Sequence, residues 1–133
     1  LVYGRLEPLV AAIEAPIGRD PHDRKRMAGL FANGISARTE YVVREYLPPC
    51  SFIEATLRTG RTHQLRVHLA AIGHPVVGDR VYGPRKQRVA APRQLLHAWR
   101  LSFVHPVGGE RLCFSAEMPA DMLAVLGDLR ARR

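Results

Sequence analysis

The sequence of 133 residues has few cysteines and no long apolar segment. Its two cysteines, Cys50 and Cys113, form no CxxC pair, so the sequence predicts neither a disulfide framework nor a cysteine metal site. No apolar run approaches the roughly 20 residues of a membrane span, and the first residues lack the basic-then-apolar order of a signal peptide. These absences favour a cytoplasmic protein with reduced thiols and no membrane partner.

Negative charge is also scarce. Arginine and lysine number 20 against 12 aspartates and glutamates, a formal net charge of +8. Only Lys25 and Lys86 are lysines, and arginine suits bidentate phosphate contacts and base stacking. A domain this basic usually binds a polyanion, most often nucleic acid; charge that serves solubility alone is the alternative.

The pattern of the chain predicts one α+β domain with a mostly antiparallel mixed sheet and a few helices. Alternating residues over 39–47 and 51–58 predict an antiparallel hairpin with one solvated face. A second hairpin is predicted over 98–119, with PVGG at its turn. The segment 73–88 is expected to form a short strand and a basic loop. The charged, Pro- and Gly-punctuated segment 15–27 is expected to be a loop.

Two helices are predicted. The first covers roughly 62–72, where apolar residues recur at helical spacing, and Gly73 ends it. The second begins with Asp121 as its N-cap. Its three leucines are expected to enter the core: Leu123, Leu126 and Leu129.

The segment TGRTHQLRVH, residues 59–68, concentrates polar donors where the predicted strand leads into the first helix. The first N–H groups of a helix lack partners and the helix dipole is positive there, so added arginines make an anion site. Arg66 is expected to be partly buried and to need an anionic partner. The neighbouring sequence offers no obvious carboxylate for it; Glu45 and Glu54 are candidates for a purely structural ion pair.

Two further groups of residues have alternative interpretations. His63 and His68 are five positions apart and no glutamate accompanies them, so no metal site is expected. A basic cluster interleaved with Asp20 and Asp23 is predicted to contact RNA phosphates, although a solvated loop is the alternative. This cluster consists of Arg19, Arg24, Lys25 and Arg26.

Three blocks of the sequence resemble the RluA family of pseudouridine synthases. They are APIGRDPHDRKRMA (15–28), LRTGRTHQLRVHLAAIGHPVVGDRVYG (57–83) and LLHAWRLSFVHPVGGE (95–110), and they occur in the family's order. The likeness covers almost the whole chain and is strongest to the members that modify large-subunit ribosomal RNA.

The resemblance implies a pseudouridine synthase fold and a cofactor-free isomerisation of uridine in RNA. A uridine is flipped into a pocket, an aspartate attacks it, and the base rejoins the sugar through C5. Arg66 is similar to the family's basic residue that pairs with this catalytic aspartate. The remaining motif residues would contact the substrate or orient the catalytic segment: Arg61, Thr62, His63, Gln64 and Leu65. A cytoplasmic monomer that binds large-subunit ribosomal RNA is expected.

The aspartate is where the sequence departs from the family. The family carries it in an HRLD-type motif, and none of the five aspartates here has that context: Asp20, Asp23, Asp79, Asp121 and Asp128. Residues 1–133 are therefore expected to be the carboxy-terminal part of a catalytic domain, with no second domain, inactive without the upstream nucleophile. A non-catalytic RNA-binding module with the same fold is the alternative.

Overall fold

The computed structural model describes residues 1–19, 27–29 and 34–132 of the protein. In chain order its elements are β1 (Val2–Tyr3), β2 (Val10–Glu14), β3 (Ile17–Arg19), β4 (Met27–Gly29), β5 (Arg38–Leu47), β6 (Cys50–Leu57), α1 (Gln64–Ala71), β7 (Arg100–Val104), β8 (Arg111–Ser115) and α2 (Ala120–Ala131). The main sheet has the order β1, β6, β5, β2, and neighbouring strands are antiparallel. The predicted α+β class is confirmed.

The first predicted hairpin is the centre of the main sheet. Tyr41 and Val43 are buried on one face of β5, as the strand period of two requires. The register against β6 then shifts between Val43 and Glu45, which marks a β-bulge. An extra residue moves later side chains to the other face. Leu47 therefore belongs to a different hydrophobic cluster from Tyr41 and Val43.

Two hydrophobic clusters lie on opposite faces of the main sheet. The neighbouring residues of β1 divide between them, because side chains alternate along a strand. Tyr3 packs in the cluster that includes Leu126 of α2, whereas Val2 packs in the cluster that includes Leu69 of α1. Helix α1 thus packs on one face and α2 on part of the other. The rest of that second face carries exposed salt bridges such as Arg44–Glu54 and Arg58–Glu40, as predicted for a hairpin with one solvated face.

Helix α1 agrees with the prediction to within two residues at its start and one at its end. Gly73 has a φ of +86°, a left-handed conformation that favours glycine, and its N–H bonds to the carbonyl of Ala70 at 3.0 Å. The predicted apolar stripe is only partly buried: Leu69 is in the core, Leu65 is half-buried and Ile72 is exposed.

Two predictions for α2 are wrong. Its N-cap is Pro119, and Asp121 lies in its first turn. Leu123 is 51% exposed, whereas Leu126 and Leu129 are each 1% exposed.

Among the described residues, no helix has both the length and the apolar character to cross a membrane.

The predicted loops also differ in part. Within 15–27, expected to be a loop, Ile17–Arg19 forms β3 and pairs with Met27–Gly29, while 20–26 lie outside the described residues. The strand expected after residue 73 is absent from that described segment, where Val76 makes only an isolated bridge to Val2. The second predicted hairpin is confirmed as β7 and β8.

Candidate functional site

The chain turns sharply between β6 and α1, and His63 is at the centre of that turn. His63 has φ 53° and ψ 23°, a left-handed conformation that costs a non-glycine residue about 1–3 kcal/mol. Its side chain does not cap the helix. The turn is fixed instead by Gln64, whose Oε1 accepts a hydrogen bond from the backbone N–H of Arg61 at 3.0 Å.

Gln64 connects this turn to the main sheet. The residue is 2% exposed, and Oε1 also accepts a bond from the Thr59 hydroxyl at 2.7 Å. Its Nε2 donates to the carbonyl of Arg38 at 2.9 Å and to Thr39 Oγ1 at 3.0 Å. Both ends of the amide are therefore engaged by the protein, and the structure places Gln64 in the interior.

Thr39 also forms a hydrogen bond with His68 of α1. Both residues are fully buried, and Thr39 Oγ1 lies 2.8 Å from His68 Nδ1. The carbonyl of Ala15 can only accept, so the other ring nitrogen, 2.9 Å away, donates to it. Nδ1 then accepts the Thr39 hydroxyl proton, which leaves every group in this buried network with a partner. The network holds α1 against β5 and the end of β2.

Arg66 has a partner that the sequence analysis did not identify. Its Nε donates to Asp79 Oδ2 at 2.7 Å and its Nη2 to Asp79 Oδ1 at 2.9 Å. The Asp79 side chain is fully buried and that of Arg66 is 15% exposed. The alternative of a structural ion pair with Glu45 or Glu54 is thus wrong in its partner, because the carboxylate that pairs with Arg66 is Asp79. These two glutamates pair with other arginines.

The surroundings of Asp79 keep it ionised. Burial by itself raises the pKa of the Asp79 carboxyl. Hydrogen bonds from Arg66 and from the backbone N–H groups of Tyr82 and Val81 together outweigh burial and hold that pKa below its ordinary value of 3.8. Because the pKa is lowered by folding, the pair contributes stability above about pH 4 that is lost as the pH falls further.

Tyr82 joins Arg66 and His63 into one cluster at the start of α1. The Tyr82 hydroxyl lies 2.6 Å from His63 Nδ1, and the two rings meet edge-on at 5.4 Å. The guanidinium carbon of Arg66 is 5.0 Å from the centre of the Tyr82 ring, within the range of a cation–π contact. An aromatic ring, an imidazole and a guanidinium therefore share one site.

The other predicted substrate-binding residues have different environments. Thr62 is exposed, and Leu65 is half-buried against the cluster that α1 covers. Arg61 is half-buried, and its Nε donates to the carbonyl of Ser36 at 3.0 Å. Arg61, Thr62 and Leu65 are thus close to Arg66 in sequence, and no described contact assigns them a ligand.

The predicted basic cluster mostly falls outside the described residues. Arg24, Lys25 and Arg26 lie outside the described residues, and only the backbone of Arg19, at the end of β3, is described. In the described part of the chain, no three His, Cys, Asp or Glu side chains group as metal ligands would. The motif histidines have separate environments, since His68 is buried and His63 is exposed.

Asp79 and Tyr82 are the site residues that sequence reasoning missed. A signal was present in the segment GDRVYG, which begins with Gly78. Gly78 has a φ of +84°, and a Cβ there would lie 1.9 Å from the carbonyl oxygen of Arg93. Only glycine fits this tight turn, and the turn places Asp79 within hydrogen-bonding distance of Arg66.

Comparison with known proteins gives the family. The model of the RNA pseudouridylate synthase family matches residues 6–71. An uncharacterized RNA pseudouridine synthase of Chloroflexus aurantiacus is 49% identical over 132 residues, 99% of this chain and 41% of the relative. The ribosomal large subunit pseudouridine synthase D of Nitrosomonas europaea is 45% identical over 137 residues, 98% of this chain and 39% of the relative.

A solved structure agrees with the sequence relatives. Human RNA pseudouridylate synthase domain containing 1 superposes with a TM-score of 0.74 at 29% identity, over 98% of this chain and 63% of that one. The chain spans about two fifths of the length of the two curated relatives. The predicted pseudouridine synthase fold and the resemblance to the RluA family are confirmed, and the chain belongs to the RNA pseudouridylate synthase family.

Proposed function

We propose that the protein converts uridine to pseudouridine in RNA, and that its substrate is large-subunit ribosomal RNA. Family membership supports the reaction, and relatives named ribosomal large subunit pseudouridine synthase D support the substrate. The observation that carries the proposal is the geometry of Arg66. Its largely buried guanidinium is held by Asp79 at the start of α1 and has N–H donors that the pair does not use.

Arg66 has the geometry to hold a second carboxylate. Asp79 occupies its Nε and Nη2, and Nη1 makes no hydrogen bond with any described residue. A guanidinium offers five N–H donors in a fixed fork, so Nη1 is available to a catalytic aspartate. In that position the positive charge would favour the ionised, nucleophilic form of the aspartate.

The reaction rearranges bonds without net gain or loss of atoms. The nucleophile bonds to C1′ of the ribose as the N1–C1′ bond breaks, the base turns, and C5 bonds to C1′ as the bond to the nucleophile breaks. The proton on C5 is lost and N1 gains one. No step requires an oxidant or reductant, in accord with the proposed absence of a cofactor.

The neighbouring motif residues have two kinds of role in this proposal. Thr62, His63 and Arg61 border the site and contact the flipped nucleotide or its phosphates, and Leu65 shapes the base pocket. Gln64 acts indirectly, because its buried amide fixes the turn before α1. The basic cluster holds the RNA through phosphate contacts: Arg19, Arg24, Lys25 and Arg26.

The nucleophile is proposed to be an aspartate outside these 133 residues. Asp79 is 1% exposed and committed to Arg66, and Asp121 is paired with Arg93, so neither is free to attack a uridine. Residues 1–133 are thus proposed to be the carboxy-terminal part of the catalytic domain, inactive alone. We place the protein in the cytoplasm, since Cys50 and Cys113 are free thiols. We further propose that it acts as a monomer.

The test is release of tritium from C5-labelled uridine in ribosomal RNA, incubated with the full-length protein. Release that depends on the protein, with pseudouridine in the digested RNA, is the expected result. RNA binding without release would favour the alternative of a non-catalytic RNA-binding module. Release by the 133-residue chain alone would show that its nucleophile lies within this sequence.

A further inference from the structure

Among the described residues, some basic side chains form salt bridges and others form none. On the sheet and α2, arginines form salt bridges to carboxylates, as in the pairs Arg38–Glu14, Arg44–Glu54, Arg58–Glu40, Arg93–Asp121 and Arg130–Glu45. In the segment RVYGPRKQR, residues 80–88, there is no acidic residue. Its four cations are exposed and form no salt bridge with any described residue: Arg80, Arg85, Lys86 and Arg88. We call residues 80–88 the basic loop.

The basic loop is held in a defined shape by Gln87. Its Oε1 accepts hydrogen bonds from the Tyr3 hydroxyl at 2.6 Å and from the Gly78 N–H at 2.9 Å. Its Nε2 donates to the carbonyl of Pro84 at 2.8 Å and to that of Asp79 at 3.2 Å. One side chain thus closes the loop on itself and anchors it to β1, so the cations are presented on a fixed backbone.

The same loop is part of the wall of the site around Arg66. Asp79, immediately before it, forms the two hydrogen bonds to Arg66, and Tyr82, within it, contacts His63. Through Asp79 and Tyr82 the loop borders this site with a backbone that carries exposed cations, of which Arg88 lies 5.6 Å from the centre of the Tyr3 ring of β1. Those charges cannot be explained as ion pairs that stabilise the fold.

We infer that the basic loop is a phosphate-binding surface that holds the RNA strand on either side of the uridine at Arg66. The inference rests on the proposed function and names where the substrate backbone lies. Unpaired arginines and lysines bind phosphates with release of counterions, and a loop already ordered loses little entropy on binding. It also adds an RNA contact to the predicted cluster of Arg19, Arg24, Lys25 and Arg26.

The test compares two double variants of the full-length protein that remove equal charge. Arg85→Gln/Lys86→Gln changes the basic loop. Arg111→Gln/Arg132→Gln is the control, because both arginines are exposed and lack salt bridges among the described residues, but lie in β8 and after α2. The dissociation constant for a ribosomal RNA fragment is measured from low to moderate salt, on proteins whose thermal unfolding matches wild type.

The loop variant is expected to reduce the slope of log Kd against log salt by roughly 1.4–1.8, since each phosphate contact contributes about 0.7–0.9. The control slope should stay within about 0.5 of wild type. A loop variant whose line is parallel to wild type overturns the inference, even if pseudouridine forms normally. A reduced slope in a protein that forms no pseudouridine would keep the loop as an RNA surface and reject the isomerase.

Discussion

Arg66 is held in one orientation by two hydrogen bonds to Asp79, which lies thirteen positions further along the chain. A buried arginine needs such an anionic partner. The turn at Gly78 and the packing of Val76 and Val77 into the core bring Asp79 into contact with Arg66.

Asp79 is expected to position Arg66 for catalysis. Asp79→Asn preserves size but removes the charge and one acceptor, so Arg66 loses its fixed orientation. In the full-length protein we expect kcat to fall roughly 10- to 100-fold, equivalent to about 1.4–2.7 kcal/mol of transition-state stabilisation. The KM for RNA should change little, because Asp79 is buried and does not reach a substrate.

Asp121→Asn is the matched control for this variant. Asp121 also receives two hydrogen bonds from one arginine, Arg93, at 2.9 and 3.1 Å, but this pair lies at the start of α2. Its kcat per folded enzyme should equal wild type. An Asp79→Asn enzyme with wild-type kcat would assign Asp79 a purely structural role.

At the scale of elements, α1 is attached to β5 by a buried polar network, with Thr39 at its centre. A contact between a threonine in a strand and a histidine in a helix cannot be predicted from their positions in the sequence. Their pairing depends on the tertiary packing of α1 against β5, which places Thr39 Oγ1 2.8 Å from His68.

Thr39→Val tests how much this network stabilises the protein. Valine has nearly the same shape as threonine but leaves His68 Nδ1 and Gln64 Nε2 each without one partner. Leaving buried polar groups unsatisfied costs about 1–3 kcal/mol. We expect a loss of that size in the free energy of unfolding, measured in urea. Thr56→Val, at an exposed position of β6, should change it by less than about 0.5 kcal/mol; equal effects would refute the network's importance.

The buried face of α2 differs from the predicted one. Leu123, Leu126 and Leu129 repeat every three residues, so they drift around the helix. The buried residues follow the closer i, i+3, i+4, i+7 pattern: Met122, Val125, Leu126 and Leu129. The existence of the helix could be predicted, but its buried face required Met122 and Val125 to be counted with the leucines.

Two alanine substitutions test this assignment. Leu126→Ala removes a fully buried side chain and should cost about 2–5 kcal/mol of unfolding free energy. Leu123→Ala, at a position that is 51% exposed, should cost less than about 1 kcal/mol. Thermal or urea unfolding measures both. A larger loss for Leu123→Ala would mean that α2 presents the opposite face to the sheet.

For the whole molecule, the sequence predicted the α+β class, both hairpins, the extent of α1 and the family. Each of these follows from a local period, a turn or a long motif. The bulge after Val43 and the Arg66–Asp79 pair depend instead on how distant segments meet. The formal charge of +8 can likewise be counted from the sequence. That the cations of residues 80–88 have no salt bridge among the described residues can be seen only in the structure.

The role of Arg66 in isomerising uridine is tested most directly by single-turnover release of C5 tritium from ribosomal RNA. The full-length wild type is compared with Arg66→Ala and with Arg66→Lys, which keeps a charge beside Asp79 but lacks the guanidinium fork. A matched control is Arg93→Ala. We expect no release by Arg66→Ala, strongly reduced release by Arg66→Lys, and wild-type release by Arg93→Ala, with RNA binding changed little in all three. Wild-type release rates in folded Arg66→Ala would contradict a catalytic role for Arg66.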